Sequence, residues 1–195
     1  MEENQNPEVT DYDALLKSHK PFKIALKYGV LLAMVTIIID LVFFIITNDP
    51  TATSSGGLSV LQMVVLGALT IYLASKEHSM KDLQGYIPYK RIMGMGALVG
   101  LFSGVVTGLY AVLKSKYMYD PNLDIELRIT EELEKTASTM SEEEYEKAKD
   151  MAIKFAKIFI SAPVMLVMSI LFSTFWSFIL SLLVGLSFKK EFPQD

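Results

Sequence analysis

Asp40 is the one ionisable residue set well inside a long apolar run, Tyr28–Thr47 (YGVLLAMVTIIIDLVFFIIT). In a membrane-crossing helix, an aspartate near the centre costs about 2.5–3.5 kcal/mol on the insertion scale, so it must turn towards polar company. Gly29, Ala33 and Thr36 share its helix face, which directs it into a bundle. No lysine or arginine lies at that depth, whereas Gln62, Thr107 and Ser173 do when counted from the ends of their own apolar runs. These three are the expected hydrogen-bond partners. Three roles stay open for Asp40: a carboxyl that ties helices together, one that handles protons or cations, or one that meets another subunit.

Other chemistry-bearing residues are sparse. His19 and His78 stand far apart with no second ligand at metal spacing, and both read as surface histidines. There is no HExxH, GxSxG, phosphate-binding loop or dinucleotide fingerprint, and no cysteine. The acids between residues 114 and 157 lack the calcium-loop pattern and read as a solvated face. The sequence therefore predicts no enzyme, no cofactor and no metal site. A net charge of −4 without a basic stripe argues against a nucleic-acid partner.

The elements that would position Asp40 are four apolar runs. With 51% hydrophobic residues bunched into stretches that match a hydrocarbon core of about 30 Å, the chain reads as an all-α integral membrane protein. The spans are Tyr28–Thr47, Leu58–Ala74, Ile92–Leu113 and, within the run Ile158–Phe188, about Val164–Ser187; Pro163 sets the start of the last. Lys17, Lys20, Lys23 and Lys27 precede span one, Lys76, Lys81, Lys90 and Arg91 lie between spans two and three, and Lys189 and Lys190 follow span four. The short loop Asn48–Gly57 carries no basic residue. The positive-inside rule then puts both termini in the cytoplasm. The acidic first residues (MEENQNPEVTDYD) do not read as a cleavable signal.

This gives five parts. Residues 1–23 are a cytoplasmic segment, in which Thr10 and Asp13 form a candidate capping box for a helix through Leu15 and Leu16; an interfacial helix and a solvated tail are equally open. Residues 24–113 hold spans one to three. Residues 114–157 form an outer helical hairpin between spans three and four, started by Asp120-Pro121-Asn122 and restarted by the capping box Ser141–Glu144. Residues 158–188 form a long helix containing span four, and 189–195 a cytoplasmic tail.

Small residues recur inside the spans. Gly96, Gly100, Gly104 and Gly108 are each four apart in span three; Ser169, Ser173, Ser177, Ser181 and Gly185 repeat that spacing in span four. Such rows let helix backbones approach closely, so spans three and four are expected to pack on each other, their hydroxyls bonding across or back to their own helix. A narrow polar path along the seam and dimerisation through the glycine face are the alternatives. Around Pro88, Tyr86, Tyr89, Lys90 and Arg91 read as interfacial anchors, the last two within reach of lipid phosphate.

Gly85-Tyr86-Ile87 ahead of a glycine-rich span, an acidic helical insert, Ser161-Ala162-Pro163 and the closing Lys189-Lys190-Glu191 together resemble a bacterial four-span membrane family known as domain of unknown function four-one-nine-nine. The resemblance covers about residues 22–192 and implies the membrane class without implying an activity. The functional expectation is a non-enzymatic accessory or scaffold in a membrane complex, in contact with lipid and with a membrane-protein partner or further copies of itself. The competing expectation is a small transporter or ion-handling protein that uses Asp40.

Overall fold

The computed structural model describes residues 14, 16–47, 57–83, 85–118, 121–135 and 141–188, with backbone alone at 57–59, 61, 62 and 121–124. Thr10, Asp13, Leu15, Asp120, Thr136–Thr139 and the tail with Lys189 and Lys190 lie outside the described residues, as does the side chain of Gln62.

The described residues are helical throughout, with no strand among them. After a helical turn at 16–18 come α1 (Phe22–Thr47), α2 (Gly57–Asp82), α3 (Tyr89–Tyr117), α4 (Pro121–Glu134), α5 (Glu142–Phe159) and α6 (Ala162–Ser187). Three of them, α1, α3 and α6, are long and apolar enough to cross a membrane. Their exposed surface is itself apolar: Ile45 and Ile46 on α1 are 76% and 74% exposed, and Leu171, Phe172 and Phe175 on α6 are also exposed. Water would penalise such a surface, whereas acyl chains match it.

Two compact units can be distinguished. The first takes the described residues up to Val106 and from Ile170 onward; the second is Thr107–Ser169. The core of the first unit joins Ala25 and Leu32 of α1, Ile71 and Ala74 of α2, Ile92, Met95 and Val99 of α3, and Leu180 and Val184 of α6. Small side chains make close approach possible there. A Cβ on Gly29 would lie 2.7 Å from Phe102 Cβ and 2.8 Å from the Val99 carbonyl, so α1 and α3 touch nearly backbone to backbone.

The second unit contains the hairpin α4–α5. Its second helix opens on the predicted capping box: Ser141 Oγ accepts from the Glu144 N–H at 3.4 Å and the Glu144 carboxylate accepts from the Ser141 N–H at 3.0 Å. Ion pairs along α5 are local, Lys147–Glu143 and Lys154–Asp150, while Lys157–Glu126 ties α5 to α4 at 2.9 Å.

The expectation of one long helix over 158–188 is corrected. Helix α5 stops at Phe159, and Ile160 and Ser161 separate it from α6. Pro163 explains the break, because within a continuous helix its ring would meet the residue 159 carbonyl and its missing N–H would leave that carbonyl unbonded. In the first turn of α6 neither penalty arises. Helix α1 also begins earlier than the apolar run, with the Pro21 carbonyl accepting from the Ala25 N–H at 2.9 Å.

Candidate functional site

Two arrangements in the first unit bring polar or functional residues together. One is the seam between α3 and α6. A side chain added at Gly96 would stand 2.8 Å from the Ser177 carbonyl and from Ser181 Oγ; one at Gly100 would stand 2.5 Å from the Ser173 carbonyl and 2.7 Å from Ser177 Cβ. The rows run antiparallel, Gly96 beside Ser181 and Gly100 beside Ser177. Ser177 and Ser181 are buried, and Ser181 Oγ donates to its own helix at the Phe178 carbonyl, 2.6 Å away. Gly185 seats the Tyr89 ring, whose hydroxyl donates to the Leu182 carbonyl at 3.1 Å. In the second unit the same pattern continues by itself: Gly108 meets Leu166 and Ser169, and Thr107 Oγ1 lies 3.2 Å from Ser169 Oγ. Gly104 is buried, and Asp40 is half-buried on α1. The glycines at 96, 100 and 108 are thus occupied by the chain's own sixth helix.

The second arrangement is a polar cluster at the ends of α1, α2 and α3. Glu77 on α2 accepts from Lys27 Nζ at 2.7 Å and Tyr28 Oη at 2.8 Å, both from α1, and from Lys81 Nζ at 2.8 Å, one turn further along α2. Hydrogen bonds from Lys27, then Lys81, then Tyr28 hold its carboxyl down at about 2, so it is ionised throughout the physiological range.

Next to it, His78 is fully buried, which corrects the surface reading. Its Nδ1 lies 2.7 Å from Asp82 Oδ2. Because a carboxylate only accepts, Nδ1 carries the proton and Nε2 is left as an acceptor, buried and without a hydrogen-bond partner among the described residues. Burial lowers the pKa of His78 below its ordinary value of 6.5, with Asp82 opposing and Arg91 and His19 adding to the fall. The neutral ring is the form the site holds. Ser75 Oγ, one turn earlier on α2, is buried and likewise has no hydrogen-bond partner among the described residues.

Among the anchors, Arg91 donates to the Leu16 carbonyl in the segment before α1, Tyr86 is half-buried, and Tyr89 and Lys90 are exposed. Gly85, at φ +95°, turns the chain from α2 towards them, a backbone conformation that other residues rarely adopt. Its N–H donates to the Ser79 carbonyl at 2.8 Å.

Glu77, His78 and Asp82 were missed as a group. Their signal was present: 77/81 and 78/82 are both i,i+4 pairs of opposite type, but both sit among lysines that read as topology markers.

The family model described as "Protein of unknown function (DUF4199)" matches residues 25–190. The chain belongs to that family. No curated protein and no solved structure matches it. The DUF4199 match runs from the start of α1 past the end of α6, so the seam and the Glu77–His78–Asp82 cluster both lie within the family's own domain.

Proposed function

We propose that this DUF4199 chain is a four-pass protein of the bacterial inner membrane, with both termini cytoplasmic, that serves without chemistry of its own as an accessory or scaffold in a membrane complex. Helix α2 is the fourth crossing element of this reading, through its apolar stretch Leu58–Ala74. Lipid surrounds the apolar surfaces of α1, α3 and α6, and a membrane-protein partner or a second copy meets part of them. Nucleic acid is not a partner.

The observation that supports the reading is the seam. Glycine faces serine at van der Waals distance, and Ser181 turns its hydroxyl back onto its own helix. Packing of this kind fills the interior of a bundle and favours a rigid body over a conduit. The basic residues at the ends of α1 and α2 and the start of α3 support the orientation.

The test is purification from native membranes after crosslinking. Recovery of one defined partner or homo-oligomer is expected; a strictly monomeric species with no recurrent companion overturns the scaffold role. Reporter fusions at the two ends should both read cytoplasmic. A pH-dependent flux in liposomes that Asp40→Asn abolishes would replace the scaffold with a small transporter.

A further inference from the structure

Helix α5 carries two apolar faces, and among the described residues only one is covered. Tyr145, Ala152, Ile153 and Ala156 are half-buried on the side packed with α4. Met151, Phe155, Ile158 and Phe159 form a second stripe at i, i+4, i+7 and i+8, and all four are exposed, Met151 by 67% and Phe155 by 65%. The Phe155 and Phe159 rings lie 5.1 Å apart and make one continuous apolar ridge.

Charge along the helix is sharply divided. Glu142, Glu143, Glu144, Glu146 and Asp150 fill its first half; from Met151 onward no acid occurs until Glu191, beyond α6. The two charges in the second half are lysines. Lys154 reaches back one turn to Asp150, and Lys157 reaches across to Glu126 on α4. Only Ile160 and Ser161 then separate the ridge from α6, one of the helices apolar enough to cross a membrane. A helix with apolar side chains on one flank, lysines that lift their ammonium groups away, and acids confined to the far end is suited to the zone between headgroups and acyl chains.

We propose that the last two turns of α5 lie in the lipid interface at the start of α6, with Met151, Phe155, Ile158 and Phe159 inserted among the upper acyl chains. The inference rests on the membrane reading given above. The residues involved span about 12 Å of helix rise, more than the depth of one interfacial layer, so α5 must lean towards the membrane plane; the break at Pro163 frees its axis to do so. The occupant of this face is phospholipid. The hairpin is thereby held down on the bilayer with its acidic half facing water.

Depth-dependent fluorescence quenching tests this in the full-length chain, reconstituted into phosphatidylcholine–phosphatidylglycerol nanodiscs. The phospholipids carry a nitroxide either near the headgroup or near the chain end. Trp176 is the single native tryptophan. In a Trp176→Phe background, Phe155→Trp and, as a second reporter, Met151→Trp should be quenched at least twofold more by the shallow nitroxide than by the deep one, and should resist aqueous iodide. Glu146→Trp in the acidic half should show the reverse, open to iodide and indifferent to both nitroxides.

Iodide quenching of F155W and M151W as strong as that of E146W overturns the proposal, because the ridge then faces water. Protection from iodide and both nitroxides also overturns it, because protein then covers the ridge. Unaltered Trp176 separates this inference from the membrane reading. If Trp176 is quenched by nitroxide lipid and F155W is not, the interfacial ridge alone falls; if neither is quenched, the membrane reading falls with it.

Discussion

The seam of α3 with α6 and the hairpin α4–α5 solve opposite problems with opposite residues. At the seam, glycine and serine remove side-chain bulk until backbones nearly touch, and Ser181 turns its hydroxyl onto its own helix. In the hairpin, long charged side chains cover one part of α5, and a capping box and short-range ion pairs add to its apolar contact with α4. A helix pair in lipid gains nothing from hiding apolar area from its equally apolar surroundings, so steric fit must supply the association. Where water is present, helix ends need caps and charges are cheap to expose. The first kind of region tolerates almost no added atom, whereas the exposed charged positions of the second tolerate many.

That contrast can be broken most sharply at Gly96 and Gly100. Replacement of either by alanine should cost roughly 1–3 kcal/mol, because the new methyl meets backbone and Ser177 or Ser181 on α6. Gly94→Ala is the control; nothing lies within 4 Å of its Cβ position, so stability should hold or rise. Thermal scans in detergent measure both, and equal effects at Gly94 and Gly96 would refute the close-packed seam.

Next in size is the polar cluster. Glu77→Gln should lower stability by about 1 kcal/mol, a modest figure because Lys27 and Lys81 are themselves largely exposed. Its pH signature is sharper. A carboxyl lowered from 4.5 to about 2 adds stability that is complete above pH 4.5 and drains away as pH falls towards 2. His78 acts at higher pH. With its folded pKa below 6.5, the unfolded chain binds the proton first, so stability is full above pH 6.5 and declines as pH drops towards the lowered value. Chemical unfolding across this range should lose its upper slope in His78→Leu and its lower slope in Glu77→Gln.

Smaller effects belong to the hairpin. Ser141→Ala removes the cap of α5 and should cost about 1 kcal/mol locally, seen as faster amide exchange in the first turn of that helix. Lys147→Ala deletes an exposed i,i+4 pair and should change stability by less than about 0.5 kcal/mol. A large loss there would erase the distinction between the two regions.

Helix positions were legible wherever one physical rule dominated. Apolar length marked α1, α3 and α6, four-residue spacing marked the glycine and serine rows, and Ser141–Glu144 marked the start of α5. The break after Phe159 was half-legible: Pro163 was noticed, but apolarity runs through Ile160 without interruption and masked where one helix ends and the next begins. The Glu77–His78–Asp82 cluster was masked for a different reason. Lysines near membrane helices carry topological information, and that meaning hid the fact that Lys27 and Lys81 converge on one carboxylate. Whether a histidine is buried depends on which helix ends meet above it, and local sequence does not encode that meeting.

The bond from Arg91 to the Leu16 carbonyl leads to one further point. The guanidinium grips a peptide oxygen, which every amino acid supplies, near the end of a short helical turn where such oxygens lack helical partners. The bond itself therefore does not depend on which side chain stands at position 16. Replacing the arginine itself removes that hold, whatever residue stands at position 16.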